Sequence, residues 1–416
     1  MLNESTAHYR EMIEDATRVM SVHFNKAIHF SEMIQLSEPD RRNVVLRLLI
    51  DNPTTEMPKS LILKKTAIDK KKFDTSNDSE TEIEQLSRFA RDWAGIEFLE
   101  KIGSTHAPRF YAGSMEHQYI LIEDLGTSHP SLVGPLTLRA SFENAQAAEI
   151  ALAAYMTRLG KMHADTMGKV SLFNSILKRI YPQAKRVHYI PQPDESKILE
   201  QLKLLTGDES QELKKEIQDI IEFATSPSDF NVLVHGDICP DNVYYQESEI
   251  RLIDFEFCDY GNALIDGVYL RMSMPSCWCS KAVPNTVLNH MELIYRTELK
   301  KAVLLAGDDY IYDKQLVFAC AYWVIKALQS LHEMKLIENE WICGSGPVDA
   351  DSEWKPEENA FRPRILSRLG AFISCATKAG HLPELCGASI RLLAYLKKNW
   401  PETKDIDLYP VFRDEK

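Results

Sequence analysis

The segment Leu233-Val-His-Gly-Asp-Ile-Cys-Pro-Asp-Asn-Val-Tyr-Tyr245, followed by Arg251-Leu-Ile-Asp-Phe-Glu256, holds acids and an amide at spacings that could do chemistry. Asp237 is a carboxylate able to orient or deprotonate a hydroxyl. Asn242 lies five residues on and offers a side-chain carbonyl, and Asp254 offers a second carboxylate. A proton acceptor combined with oxygen ligands for magnesium is what phosphoryl transfer from a nucleotide to an alcohol requires. Magnesium commonly uses few protein carboxylates and fills the remaining positions with phosphate and water, so Asn242 and Asp254 suffice as ligands.

These groups need elements to position them. Asn231-Val-Leu-Val234 and Ile250-Arg-Leu-Ile253 are strand-like and flank the motif, so Asp254 sits where a strand would hold it rigidly. Upstream, residues 1–30 show helical spacing, and Met33–Leu36, Val44–Ile50 and Leu61–Leu63 are β-type runs. A polar stretch from Thr66 to Ser79 reads as a loop. Glu80–Ile102 is helical, with apolar residues at three- and four-residue steps, and Arg109–Tyr111 and Tyr119–Ile122 are two further short strands. After Gly126 the pattern is mainly helical. It includes Glu143–His163, two helical patterns within 171–225, and helices from about 285 interrupted by an acidic, proline-rich stretch at 345–363.

The motif resembles the kinase signatures His-Arg-Asp-x-x-x-x-Asn and Asp-Phe-Gly, with Gly236 for arginine and Glu256 for glycine. That variant is similar to the aminoglycoside phosphotransferase and choline kinase family. Leu159-Gly-Lys-Met-His163 resembles the family's Leu-x-x-Leu-His helix end, and Gly261-Asn-Ala-Leu-Ile-Asp266 its Gly-x-Pro-x-x-Asp, with Ala263 for proline. The resemblance implies an α+β, two-lobed protein-kinase-like fold with a small antiparallel-sheet N-lobe and a large, mainly helical C-lobe. The lobes would span 1–125 (nucleotide-binding) and 126–416 (catalytic and acceptor-binding), with a helical insert at about 171–225 and a helical tail at about 285–416. It also implies ATP and Mg²⁺ as cofactors, Asp237 as catalytic residue, His235 in a supporting role and Asp266 bracing the loop; the competing reading of Asp266 is an exposed helix-capping acid.

A kinase also needs a cation near the α- and β-phosphates, fixed by an acid on a neighbouring helix. Lys64 is the expected cation, because Lys65 would point to the other face of a continuing strand. Arg91-Asp-Trp-Ala-Gly-Ile-Glu-Phe-Leu99 resembles the family's Glu-x-x-x-Leu-x-x-Leu helix, which makes Asp92 the partner although aspartate is one methylene shorter. Glu97 is its rival. Ile122-Glu123-Asp124-Leu-Gly126 resembles the connector whose backbone reads the adenine edge. No glycine-rich phosphate loop is present, since Ser37–Asn43 contains proline but no glycine.

Composition narrows the partners. A formal net charge of −13 argues against a nucleic-acid binder. No apolar run reaches the length of a membrane span, and MLNESTAHYREMIEDATRVM has no signal-peptide core. Eight cysteines without such a leader suggest free thiols and a cytoplasmic protein. The expected function is ATP-dependent phosphorylation of a small-molecule hydroxyl. Glu256 and Asp259 could attract a cationic acceptor or face solvent. The alternatives are a kinase acting on a protein or other macromolecule, against which the missing Ala-Pro-Glu segment argues, and an inactive nucleotide-binding scaffold. Oligomeric state is not readable.

Overall fold

A computed structural model describes residues 9–38, 43–66, 78–126, 131–188, 192–246, 249–343 and 358–413. The Ser37–Asn43 turn, the Thr66–Ser79 loop, the 345–363 interruption and the start of the leading helix lie wholly or partly outside these residues. The elements in chain order begin with Arg10–His23 (α1), Phe30–Gln35 (β1), Asn43–Ile50 (β2), Ser60–Thr66 (β3), Asp78–Lys101 (α2), Phe110–Ser114 (β4) and Tyr119–Glu123 (β5). They continue with Val133–Thr137 (α3), Phe142–Thr166 (α4), Val170–Ile180 (α5), Glu195–Thr206 (α6), Gln211–Thr225 (α7), Asn231–Val234 (β6), Val243–Gln246 (β7), Glu249–Leu252 (β8) and Asp259–Asn262 (β9). The remainder is helical: Leu264–Gly267 (α8), Asn285–Leu299 (α9), Asp309–Glu333 (α10), Phe361–Ala379 (α11) and Pro383–Asn399 (α12). The expected α+β class, with an N-terminal antiparallel sheet and a mainly helical C-terminal part, is what the chain forms.

Contacts divide the chain into two compact units, and neither is one continuous stretch. The first comprises 1–129, 171–187 and 251–257. Its five strands run antiparallel in the order β1-β2-β3-β5-β4. Strand alternation sends Leu46, Leu48, Leu61 and Leu63 to one face, where they pack with Met12, Ile13, Ala16 and Met20 of α1 in a continuous core. The same alternation turns Ile62 and Lys64 to the opposite face. Residues 171–187 join this unit through specific contacts. Phe173 meets the edge of Phe98 at 5.9 Å between ring centroids, Arg91 Nε donates to Lys185 O at 2.8 Å, and the Lys185 amide donates to Ser87 Oγ at 2.9 Å. The 251–257 segment is tied in by the Leu252 amide, which donates to His106 O at 2.7 Å.

The second unit comprises 130–170, 188–250 and 258–416. Helix α4 starts at Ser141, whose hydroxyl accepts the Asn144 amide at 3.1 Å. It packs so closely on α9 that a Cβ at Gly160 would lie 2.7 Å from Tyr295 O. Strands β6 and β9 pair antiparallel, and β7 and β8 form a separate two-stranded sheet. The short β7 and β9 carry no run of alternating apolar residues, and the sequence reading contained neither. The interval read as two helical patterns contains α5, α6 and α7. Its breaks are set by local chemistry that periodicity misses: Asp194 caps α6, Gly207 closes it at φ 78°, and Ser210 caps α7. In α10 the run from Ala319 to Leu328 is buried. Among the described residues no helix is long and apolar enough to cross a membrane.

Candidate functional site

The expected site residues fall into two sets, one in each unit. In the first unit, β3 delivers Lys64 on the face away from α1. Its Nζ lies 2.6 Å from Asp92 Oδ2 and 2.7 Å from Asp254 Oδ1. Asp92 occupies the part of α2 that faces this strand, and its second oxygen accepts the Phe255 amide at 2.8 Å. One buried aspartate thus holds both the lysine and the backbone that follows Asp254. Its shorter side chain reaches the lysine directly. Burial works against the Lys64 charge, but Asp254, Asp92 and Glu256 overcome it and hold the ammonium well above the ordinary lysine range.

Asp254 itself has φ 68°, a left-handed conformation that a non-glycine residue adopts at a cost of about 1–3 kcal/mol. Its side chain keeps 32% exposure, against 5% for Asp92, so it is the member of the cluster open to a ligand. Glu97, the rival partner, is engaged elsewhere: it accepts from Trp93 Nε1 at 2.8 Å and from Arg179 at 2.5 Å. Glu256 is buried and receives Arg88 at 2.5 Å, while the Arg88 guanidinium lies 4.5 Å from the Phe257 ring centroid. It is therefore neither a solvent-facing acid nor an unpartnered one. The connector residues Ile122 and Glu123 end β5, and the Glu123 amide donates to Arg109 O at 2.9 Å. Asp124 is bound by Arg47 at 2.6 Å, by Ser60 at 2.6 Å and by the Gly126 amide at 3.0 Å.

In the second unit, β6 ends at Val234 and the motif follows. Gly236 takes φ 80°, a turn that suits glycine. The amides of His235 and Gly236 donate to Asp266 at 2.6 and 3.3 Å. Asp266 is 1% exposed, so it braces the loop from within and is not an exposed helix cap. His163 Nε2 lies 3.5 Å from the same carboxylate, and its Nδ1 meets Tyr295 Oη at 2.8 Å. His235 is fully buried.

Beyond that brace, Asp237 and Asn242 come together: Asn242 Nδ2 donates to Asp237 O at 2.9 Å and to Asp237 Oδ2 at 3.2 Å. The amide nitrogen faces Asp237, which turns the side-chain oxygen of Asn242 the other way. Asp259 accepts the amide of Tyr260 at 2.8 Å, a local contact at the start of β9.

Three features of this second set were not legible in the sequence. Ser276 Oγ donates to Asp237 Oδ1 at 2.5 Å, and Trp278 Nε1 donates to Asp241 Oδ2 at 2.8 Å. Both belong to a segment 39 and 37 residues further along the chain, with no motif of its own. The third is a correction. The eight cysteines were expected as free thiols, but Cys239 and Cys277 are joined in a disulfide, and six remain free. The 3-10 turn Pro240–Asn242 places Cys239 against the 273–280 segment, so residues remote in sequence become neighbours.

Comparison with known proteins gives the family. The chain matches the phosphotransferase enzyme family over residues 71–291, more than half of its 416 residues, a span that includes Asp92, Asp237, Asn242, Asp254 and Asp266 but starts after Lys64. No curated protein matches it in sequence. Among solved structures it is similar to amicoumacin kinase hAmiN in complex with AMP-PNP, Ca²⁺ and Ami, at 16% identity, with 97% of each chain covered and a TM-score of 0.41. It is also similar to choline kinase from Cryptosporidium parvum Iowa II, at 13% identity, covering 88% of this chain and 93% of that one, with a TM-score of 0.39. A third is spectinomycin phosphotransferase APH(9)-Ia in complex with ADP and spectinomycin, at 14% identity, 92% and 98% coverage and a TM-score of 0.37. With more than half its length matched, and the matched span carrying the acids just described, the chain belongs to the phosphotransferase enzyme family.

Proposed function

We propose that the protein transfers the γ-phosphoryl group of Mg·ATP to a hydroxyl of a small molecule. The observation that carries this reading is the cluster of Lys64 with Asp92 and Asp254, residues 28 and 190 positions from the lysine. A retained cation, an acid that fixes it and a partly open carboxylate are the groups a nucleotide-binding phosphotransferase needs. Lys64 would bind the α- and β-phosphates, with Asp92 setting its position. The backbone of Ile122–Asp124 would read the adenine edge, and the 1–125 lobe would be the nucleotide-binding part. Asp254 and the oxygen of Asn242 are hard oxygen donors of the kind magnesium takes, and each is oriented by a contact at its other end. Magnesium held by these residues would supply charge neutralisation at the phosphates during transfer.

Asp237 orients the acceptor hydroxyl and takes its proton. The acceptor oxygen forms a bond to the γ-phosphorus as the bridging oxygen bond to ADP breaks, in line and without a phosphoenzyme. His235 supports the loop. The acceptor is a small molecule on the strength of the family and of the missing Ala-Pro-Glu segment. The Arg88 contact engages Glu256, one of the two acids that could attract a cationic acceptor.

The test is ADP release with Mg·ATP across a panel of choline, ethanolamine, sugars and aminoglycosides, with products identified by mass. Acceptor-dependent ADP release with a phosphorylated small molecule is expected. Phosphate incorporated only into protein, or nucleotide binding with no transfer to any acceptor, would contradict the proposal.

A further inference from the structure

We propose that Ser276 is a positioning residue for Asp237, presented by a braced segment at 269–280. The proposal rests on the reading of Asp237 as the group that orients the acceptor hydroxyl. An ionised carboxylate only accepts hydrogen bonds, so the one hydroxyl hydrogen of Ser276 is committed to Asp237 Oδ1. The 2.5 Å contact between Ser276 Oγ and Tyr269 Oη must then be donated by the tyrosine. Burial, reinforced by the charge of Asp237, holds the Tyr269 phenol well above its ordinary value, so it remains a donor. Asn242 donates to the other oxygen, Oδ2. The carboxylate is thus held at both oxygens, by Asn242 from its own loop and by Ser276 from a distant one, and its plane is fixed.

The segment that carries Ser276 is held far more firmly than an ordinary loop. Arg364 Nη1 donates to Cys277 O at 2.8 Å and Nη2 to Trp278 O at 2.9 Å. Arg368 Nε donates to Met272 O and its Nη2 to Pro275 O, both at 3.1 Å. Both arginines are buried, at 2% and 4% exposure, and they bracket Ser276 from either side along the chain. Ser273 and Met274 both take positive φ, 54° and 46°, a strained pair that persists only where the surroundings impose it.

The segment is also attached to the catalytic loop at two further points. Trp278 reaches Asp241, and the disulfide joins Cys277 to Cys239, which lies between Asp237 and Asn242. Cys279, fully buried, places its sulfur 2.8 Å from Cys277 Sγ, so three sulfurs converge beside the loop. Two buried arginines, a strained backbone and a covalent tie all serve to place one serine hydroxyl on Asp237. Misplacing a reacting group by about 1 Å is worth as much as 10²-fold in rate.

The test uses Mg·ATP with water as the probe acceptor, following phosphate release by full-length wild type, Ser276→Ala, Ser276→Thr and Asp237→Asn. Hydrogen exchange across 236–243 is read on the same proteins. Ser276→Ala is expected to lower kcat about 10- to 100-fold, leave the KM for ATP within about twofold, and raise exchange in 236–243 but not in the five-stranded sheet. Threonine, which keeps the hydroxyl, is expected to restore both. Unchanged exchange in 236–243 overturns the proposal whatever the turnover. So does wild-type turnover in Ser276→Ala when Asp237→Asn is dead, an outcome that spares the reading of Asp237. A general loss of protection without threonine rescue assigns Ser276 a structural role only, and also overturns it. Wild-type turnover in Asp237→Asn overturns the functional reading beneath the proposal.

Discussion

At the scale of residues, two buried ion clusters in the first unit decide what substitutions do. Lys64 is shared by Asp92 and Asp254, so Lys64→Met removes a cation that both carboxylates contact and leaves them side by side. Breaking a buried pair in this way costs about 3–5 kcal/mol. Lys64→Met is expected to lose stability on that scale in urea unfolding and to weaken Mg·ATP binding measured by calorimetry. The second cluster is Arg47 with Asp124. Burial raises the Asp124 carboxyl, but Arg47, Ser60 and the Gly126 amide outweigh it, and the net displacement is downward. A carboxyl depressed in the folded state contributes stability above its unfolded value of about 4, and that contribution is lost as pH falls through the folded value. Arg47→Ala is therefore expected to be destabilised at pH 7, by roughly 3 kcal/mol, with the gap to wild type narrowing below about pH 4. Urea unfolding at pH 7 and pH 3 checks this. The Lys64–Asp92 partnership was legible because strand alternation separates Lys64 from Lys65 and the resemblance to the family's Glu-x-x-x-Leu-x-x-Leu helix singles out Asp92. Ser276 was not, because nothing local marks a serine whose partner lies 39 residues away.

At the scale of elements, α4 and α9 meet at Gly160, between the motif residues Leu159 and His163. A Cβ there would come 2.7 Å from Tyr295 O and 2.8 Å from Glu298 Cβ. Tyr295 in turn contacts His163 and donates to Ala263 O at 2.9 Å, next to the segment that carries Asp266. Gly160→Ala is expected to destabilise by about 1–3 kcal/mol through overpacking, read as a shift in the urea midpoint. The family-like Leu-x-x-Leu-His pattern pointed to His163 but gave no reason for the glycine. That reason is a close helix approach, visible only in three dimensions. The disulfide sits at the same scale. Reduction followed by alkylation, or Cys277→Ser, removes the covalent tie between the 235–242 loop and the 273–280 segment. Turnover is expected to fall several-fold with Mg·ATP affinity retained, measured as phosphate release and calorimetric binding on the same sample. Most strands and long helices were legible from apolar periodicity. The short β7 and β9, and the division of 171–225 into three helices, depend on caps and on pairing partners distant in sequence.

At the scale of the molecule, two compact units each carry part of the required chemistry, with Lys64, Asp92 and Asp254 in one and Asp237 and Asn242 in the other. The motif was legible because its residues are close in sequence. The acceptor pocket was not, because it would be assembled from helices with no shared spacing rule. Under the proposed function, the first set would hold nucleotide and the second would direct transfer. The most direct measurement compares Mg·ATP binding and phosphoryl transfer in wild type, Asp237→Asn and Asp254→Asn. Asp237→Asn is expected to bind Mg·ATP normally and to lose about 10²- to 10⁴-fold in transfer, whereas Asp254→Asn loses transfer together with Mg·ATP affinity. Transfer at the wild-type rate by Asp237→Asn, or undiminished Mg·ATP affinity and transfer in Asp254→Asn, would contradict the account.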